Sequence, residues 1–289
     1  MNIGNILREY RLQLGLTQAE ISENILTPSY YSKIERNAHR ITAEDLLKIL
    51  NKHSIDISEF INRINNSNPN DIDFFHTINY EMTLYHYQSN VEALKKINLK
   101  IKENQTLTSF ESQLLIALND SLIYSLTYDK NFLSEQNIQF LKNQFFEVEE
   151  WNNFKLTLYT NIMGMYDIYA NHSIIGSLLN KKIEDYTPDH QILIFNILIN
   201  FISMCLLNDS LLLARHYNNI ILKVPTNYDN ILQKIIARFH DYLFIFLDNP
   251  SFENEKKALA FISVFKEIDF GMYDQSIELF KNTKKLYIE

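Results

Sequence analysis

Glycine and proline are so scarce in this chain, five of each among 289 residues, that they cannot supply the tight reversals a sheet protein needs. Strand-to-strand turns draw heavily on glycine and asparagine–glycine pairs, whereas helices can be started and ended by polar side chains. An all-α chain is therefore expected. Hydrophobic residues make up 46% and charged residues 21%, the composition of a folded chain with a real core, and the length favours two domains over one.

The stretch INRINNSNPNDID, Ile61 to Asp73, gathers polar turn residues around Pro69, and no helical period crosses it. It predicts two domains, 1–66 and 67–289. Residues 1–66 carry eight Lys and Arg against eight Asp and Glu, so the whole net charge of −8 falls on the remainder. A nucleic-acid activity is thereby confined to the first part, and the acidic second part faces some other partner. The single cysteine, Cys205, excludes an internal disulfide and a multi-thiolate metal site, and suits a reducing cytoplasm. Flanked by Met204 and Leu206 with no basic neighbour, it reads as a core residue. The N-terminal MNIGNILREYRLQLG lacks a basic stretch followed by an apolar one, so a signal peptide is not expected. Ile192 to Leu207 is apolar but falls short of the ~20 residues of a membrane span, and Asn196 and Asn200 interrupt it; no membrane role is expected.

In the first part, Ile3, Ile6, Leu7, Tyr10 and Leu14 recur at helical spacing and Gly15 ends the helix. Thr17 with Glu20 forms a capping box for a short second helix with Ile21 and Ile25 as its buried stripe. Thr27 and Pro28 open a third, Thr42 a fourth ending near Lys52, and Ser58 a fifth through Phe60, Ile61 and Ile64. The second part predicts about eleven helices: 72–86, 90–102, 109–128, 134–147, 150–169, 173–184, 189–207, 210–222, 228–247, 253–268 and 272–287. Similar openings recur near SFESQL at 109, EWNNFKL at 150, PDHQIL at 188, NYDNIL at 227 and MYDQSI at 272. A spacing of roughly 40 residues fits helix-pair repeats stacked into a solenoid of the TPR-like kind, whose inner wall offers a groove; a single irregular bundle is the alternative.

Enzyme motifs are missing: there is no GxSxG, HExxH, Gly-rich phosphate loop or dinucleotide fingerprint. No two of the eight histidines stand at helix-face spacing, and Asp71 with Asp73 lacks the glycine and distal glutamate of a calcium loop. No catalysis, cofactor or metal is expected. The positive signal lies at the N-terminus. QAEISEN, a short break and PSYYSKIER, after an amphipathic first helix, have the layout of a helix-turn-helix. With Tyr31 and Ile34 buried, the third helix turns Ser29, Tyr30, Lys33 and Arg36 outward, with Ser32 at the margin. Hydroxyl, phenol, ammonium and guanidinium groups suit base edges and phosphates, and Gln18 in the first turn of the second helix is placed for a phosphate.

LGLTQAEISEN followed by SYYSKIERN resembles the Cro/repressor type of helix-turn-helix, whose signature runs from Leu-Thr-Gln to Ser-x-Ile-Glu-x-Gly. Asn37 stands where that signature has glycine. The resemblance implies an ion pair between Arg11 and Glu35 that serves the fold, not DNA. Together with ITAEDLLKILNKHSIDISEF and some 220 residues of helical repeats carrying VEEWNNFKLTLYTN, the whole chain resembles the Rgg/GadR/MutR regulators of Gram-positive bacteria, relatives of the peptide-sensing group that includes PlcR. That resemblance implies a cytoplasmic, homodimeric transcription regulator. Its repeat domain would bind a short, often hydrophobic signalling peptide on the concave face, and its DNA site would be a palindromic operator.

A linear peptide presents unpaired amides, which asparagine can both donate to and accept from. Asn161, Asn196 and Asn200 sit in apolar helices, and Asn153 and Asn230 in first turns; capping or bridging between helices would use the same residues. Arg215 and Arg238 are the arginines of the second part, and could meet an acidic group on the peptide. Arg238 has Tyr242 four residues on, and Tyr159, Tyr166 and Tyr242 are candidate groove walls or core residues. A repeat scaffold for a protein partner, with the helix-turn-helix used for assembly, is the competing reading.

Overall fold

Sixteen α-helices, and no strand, form the regular structure among the described residues of the computed structural model, which are 3–66, 74–127, 129–267 and 272–288 with the side chains of 65, 66 and 76 excepted. They fall into two compact units, Met1–Thr77 and Ile78–Glu289. The expected domain boundary around Pro69, the pair Asp71 and Asp73, and the expected helix ends at Ile72, Tyr128 and Ile268 lie outside the described residues.

The first unit holds α1 (Ile3–Gln13), α2 (Gln18–Ser22), α3 (Pro28–Glu35), α4 (Ala43–Lys52) and α5 (Ile57–Asn66). Their ends follow the local chemistry. Gly15 takes φ +69° after α1. Thr17 Oγ1 accepts from the Glu20 amide at 3.2 Å while Glu20 Oε2 accepts from the Thr17 amide at 2.7 Å, closing the capping box. Thr27 and Thr42 cap α3 and α4. The fifth helix differs from expectation: the Glu59 amide donates to Asp56 Oδ1 at 2.7 Å, and the helix begins at Ile57 rather than after Ser58, because the carboxylate is the stronger acceptor for a first-turn amide. Leu7, Ile21, Tyr31, Ile34, Ile49 and Phe60 make the core. Gly4 is required where α1 crosses α3, since a Cβ there would overlap the Ile34 carbonyl.

Next come α6 (Phe74–Tyr87), α7 (Val91–Glu103), α8 (Ser109–Thr127), α9 (Glu135–Glu147), α10 (Asn153–Ile162), α11 (Ile168–Leu178), α12 (Pro188–Leu207), α13 (Leu211–Lys223), α14 (Ile231–Asp248), α15 (Phe252–Glu267) and α16 (Met272–Tyr287). The five recurring sequence openings mark α8, α10, α12, α14 and α16. These helices are neighbours in space: α8 packs on α10, α10 on α12, α12 on α14, and α16 on both α12 and α14. The alternate helices α7, α9, α13 and α15 pack between consecutive members of the row or beside them, as stacked helix pairs require.

Two expected helices, 150–169 and 173–184, are divided differently. Buried Asn171 donates to the carbonyls of Met163, Tyr166 and Asp167 at 2.9–3.1 Å and accepts from the Tyr159 hydroxyl at 2.7 Å. That amide stabilises a corner, a single 3-10 turn at Met163–Met165, and Asp167 then caps α11 through the Ala170 amide. The apolar pattern runs through the corner, so periodicity alone could not show it. α12 follows its expected span to within one residue, but it is long enough for the membrane-span length that Ile192 to Leu207 alone falls short of. Its 20 residues pass for a membrane span by length and hydropathy, but half of that apolar window is buried inside the unit, where it contacts α10, α11, α13, α14 and α16. It is the central core helix. Cys205 on it is fully buried, and burial pushes its thiol up to about 12.

Lysines close two helix ends. Lys155 on α10 donates to the carbonyls of Val148 and Glu149 after α9, its ammonium lying over the rings of Phe145 and Trp151 at 4.9 and 5.0 Å. Lys234 on α14 donates to the carbonyls of Ile221 and Leu222 in the last turn of α13 and of Val224 just past it. Each cation meets the negative end of the preceding helix, so the same device recurs two repeats apart.

Asp120 on α8 is held by asparagines of both neighbours, accepting from Asn98 Nδ2 of α7 at 2.8 Å and Asn137 Nδ2 of α9 at 3.1 Å. Burial raises its carboxyl pKa above the usual range, against the lowering effect of both amides. A raised folded-state pKa means that the folded chain binds the proton more tightly, so this group's contribution to stability falls as pH rises through the carboxylate range. Asp120→Asn keeps both contacts if the Asn137 amide turns over. It is expected to melt above the parent at pH 7, with the gap closing as the parent's carboxyl protonates; calorimetric melts across that range check it.

Candidate functional site

The outward face of α3 is set by what α3 buries. Tyr31 and Ile34 are enclosed, 0% and 2% exposed, and Glu35 is drawn in beside them with a side chain only 3% exposed. A buried carboxylate needs full compensation. Glu35 receives it from Arg11 Nε at 2.5 Å, Arg11 Nη2 at 3.2 Å and Gln18 Nε2 at 2.7 Å. Arg11 Nη1 continues to the Leu16 carbonyl at 2.9 Å, and the bond to Glu35 raises its guanidinium pKa further. One carboxylate on α3 thus fastens α1, α2 and the turn between them.

With that frame in place, Ser29, Tyr30, Lys33 and Arg36 are exposed and Ser32 is half-buried. Three of the expected contact residues are partly committed elsewhere. Gln18 turns its amide nitrogen inward to Glu35. Tyr30 donates its hydroxyl to the Arg40 carbonyl at 3.1 Å. Arg36 Nε donates to the Ser32 carbonyl at 3.2 Å, leaving its terminal nitrogens outward.

Asn37 does more than the sequence indicates. It takes the left-handed φ of +56° that the motif reserves for glycine, and its Oδ1 accepts from the Gly4 amide at 3.1 Å while Nδ2 donates to Asn5 Oδ1 at 2.9 Å. Asn37, two residues past α3, therefore caps α1. Paired with a glycine at position 4, this was the available sequence signal, though nothing local links residues 33 apart.

In the second unit the residues expected at a peptide site lie at different depths. Asn161 on α10 is half-buried, its Nδ2 on the Thr157 carbonyl at 2.8 Å. On α12, Asn200 is exposed and Asn196 half-buried, accepting from Gln233 of α14 at 3.3 Å. On α14, Arg238 is exposed and pairs with Asp241 at 2.7 Å, and half-buried Tyr242 stacks obliquely on Phe261 of α15. These residues belong to consecutive members of the row. Asn153 is exposed in the first turn of α10, where Asn152 is the cap.

Asn230 is different: it is 1% exposed, accepting from the Asn227 amide and donating to the Pro225 carbonyl, both at 2.9 Å. Its amide staples the loop before α14 and has no free face. Tyr159 is fully buried on Asn171 and forms core, not wall. Tyr166 lies under the Lys142 ammonium, and Arg215 is bound to Asp248 and the Phe244 carbonyl. Burial drives His240 down to about 3, so it is a neutral core residue; among the described residues no cluster of acidic, histidine or cysteine side chains could hold a metal.

Comparison with known proteins finds a match for each part of the chain. Residues 94–280 match the family model of the C-terminal domain of the HTH-type transcriptional regulator Rgg, and residues 7–60 match a helix-turn-helix model. The fold is similar to that of the Streptococcus dysgalactiae SHP pheromone receptor Rgg2, at 18% identity over 96% of this chain and 98% of that one with a TM-score of 0.68. It is also similar to PrgX in its complex with cCF10, at 17% identity over 98% of this chain and 99% of that one with a TM-score of 0.72.

Two substitutions test the frame. Arg11→Met leaves Glu35 buried without its cation and is expected to destabilise the chain by about 3 kcal/mol or more, read by urea unfolding. Asn37→Gly restores the usual residue and relaxes the backbone, yet is expected to cost about 1 kcal/mol because α1 loses its cap.

Proposed function

Because the chain belongs to the Rgg family of helix-turn-helix transcriptional regulators, we propose that it binds a palindromic operator as a homodimer in the cytoplasm and is switched by a short peptide. Residues 1–66 form the DNA-binding domain, and residues 67–289 the peptide-binding and dimerisation domain. Its family is one of regulators, not enzymes. The observation that carries the DNA reading is the pair of unpartnered cations on the outward face of α3. Lys48, Lys52 and Arg63 on α4 and α5 are each paired with a glutamate, whereas Lys33 and Arg36 on α3 have no carboxylate partner among the described residues. Unpaired cations beside Ser29 and Ser32 suit phosphates and base edges. Tyr30 adds an aromatic surface, and the Gln18 side-chain oxygen stays outside the Glu35 contact.

The open side of α10, α12 and α14 is the proposed peptide site. Asn161, Asn196 and Asn200 offer amides to an extended backbone, Arg238 offers a cation to an acidic group, and Tyr242 an aromatic edge; Asn153 lies at the end of this strip. Rgg2 is described as a pheromone receptor and PrgX is seen with cCF10, which supports a peptide over a protein partner. The peptide acts to the extent that it binds two arrangements of the protein unequally.

A Ser29→Ala, Lys33→Ala double variant is expected to keep its fold by circular dichroism and lose specific duplex binding by tenfold or more, about 1–3 kcal/mol per lost base contact. Undiminished binding of a selected duplex would refute the assignment of α3. Asn200→Ala with Arg238→Ala is expected to abolish the effect of peptide on that binding without changing the peptide-free affinity.

A further inference from the structure

Among the described residues of the second unit, the four most exposed large apolar side chains are Tyr228 at 94%, Leu212 at 84%, Phe252 at 83% and Tyr169 at 81%. Three of them recur at one place in the repeat: Tyr169 and Leu212 are the second residues of α11 and α13, and Phe252 is the first of α15. A single exposed apolar side chain is ordinary, but one at the same point of three successive partner helices forms a pattern. Side-chain ties bring these helix starts together. His172, one turn beyond Tyr169, has its Nδ1 2.7 Å from the Tyr217 hydroxyl on α13. Arg215, one turn beyond Leu212, donates to Asp248 Oδ1 at 2.6 Å and to the Phe244 carbonyl at 3.3 Å, at the end of α14 that leads into α15. Residues three apart share a helix face, so Tyr169 and Leu212 lie on the faces that carry these ties. The turn that presents Phe252 is braced by Asn254, whose amide donates to Ser251 Oγ at 3.2 Å and whose side chain donates to the Asn249 carbonyl at 2.9 Å.

Charge identifies the occupant. The connections at 163–170, 207–213 and 248–254 carry Asp167, Asp209, Asp248 and Glu253 and no lysine or arginine. Arg215 and Lys257 pair with Asp248 and Glu253, whereas Asp167 and Asp209 are exposed with no cation partner among the described residues. A second copy docking edge to edge would set these carboxylates against like charges, so the complementary surface is basic and apolar. Spacing identifies its form. Stacked helices lie about 8–10 Å apart, and seven residues of an α-helix rise about 10.5 Å, so apolar side chains recurring every seven residues on one helix face would meet successive rungs. We propose that the starts of α11, α13 and α15 dock a basic amphipathic helix of another protein, with Tyr169, Leu212 and Phe252 as its apolar rungs and Asp167 and Asp209 as its charge partners. The edge uses none of the residues assigned above to DNA or to the signalling peptide.

The test selects a displayed library of random peptides, each of about 20 residues and so long enough for three rungs at a seven-residue spacing, on the full-length chain. It then removes those that also bind a Tyr169→Ser, Leu212→Ser, Phe252→Ser triple variant, whose fold is checked by circular dichroism. The surviving peptides should carry a net positive charge and apolar residues recurring every seven positions. One survivor, synthesised and followed by fluorescence anisotropy, should bind the triple variant at least about tenfold more weakly than the parent, as removal of central apolar anchors requires. Asp167→Asn with Asp209→Asn removes both charges while asparagine still serves as a cap and in the left-handed conformation. This double variant should also weaken binding and flatten its dependence on salt. No survivors, or survivors that are acidic or lack the seven-residue period, overturn the proposal. So does a survivor that binds the triple variant as tightly as the parent, or one whose affinity the two asparagines leave unchanged. Self-association of the parent that the triple variant abolishes would make a second copy the occupant and overturn it as well.

Discussion

Every helix end leaves backbone amides or carbonyls without an internal partner, and a chain with so little glycine must meet that requirement with side chains. Thr17, Thr27, Thr42, Asn90, Ser134, Asn152, Asp167 and Thr187 accept first-turn amides. Asn24, Asn37, Ser54, Ser89 and Asp209 take the left-handed backbone conformation that glycine would otherwise supply. At C-termini, Lys155 and Lys234 reach across from the next helix. The architecture depends on this substitution of side chains for glycine. Because such caps are specific in direction, they fix where each helix stops and also which neighbour it joins.

In the first unit the same economy produces the functional face. Glu35 cannot stay charged in the core alone, and the groups that compensate it come from α1 and α2. The carboxylate therefore orients α3, and the orientation decides that Ser29, Lys33 and Arg36 face outward. Asn37 adds a second tie between the same helices through Gly4. The orientation of α3 is held by a buried carboxylate whose donors are in place, together with the apolar packing of Tyr31 and Ile34.

The second unit follows from repetition. Each long helix buries one stripe against its neighbours in the row and another against its partner helix, leaving a narrow open strip. Asn161 on α10 and Asn196 and Asn200 on α12 keep part of their surface open, and asparagine can both donate and accept. The corner at Met163–Met165 and the loop before α14 show the same residue type in the opposite role: Asn171 and Asn230 are enclosed and satisfy main-chain groups of their own loops.

The sequence by itself determined the all-α class, the capping box at Thr17, the helix-turn-helix and its buried Tyr31 and Ile34, and the alternate-helix period in the second part. These depend on neighbours within a few residues, where spacing translates directly into geometry. It also indicated the Arg11–Glu35 pair, though only through resemblance. Tertiary structure decided the rest. Whether Asn196 is open, whether Tyr30 offers its hydroxyl outward or to Arg40, and whether Gln18 faces solvent or Glu35 depend on a partner 10 to 37 residues away. A polar side chain carries the same letter whether it is satisfied by the fold or left free for a ligand, and only the packed chain distinguishes the two.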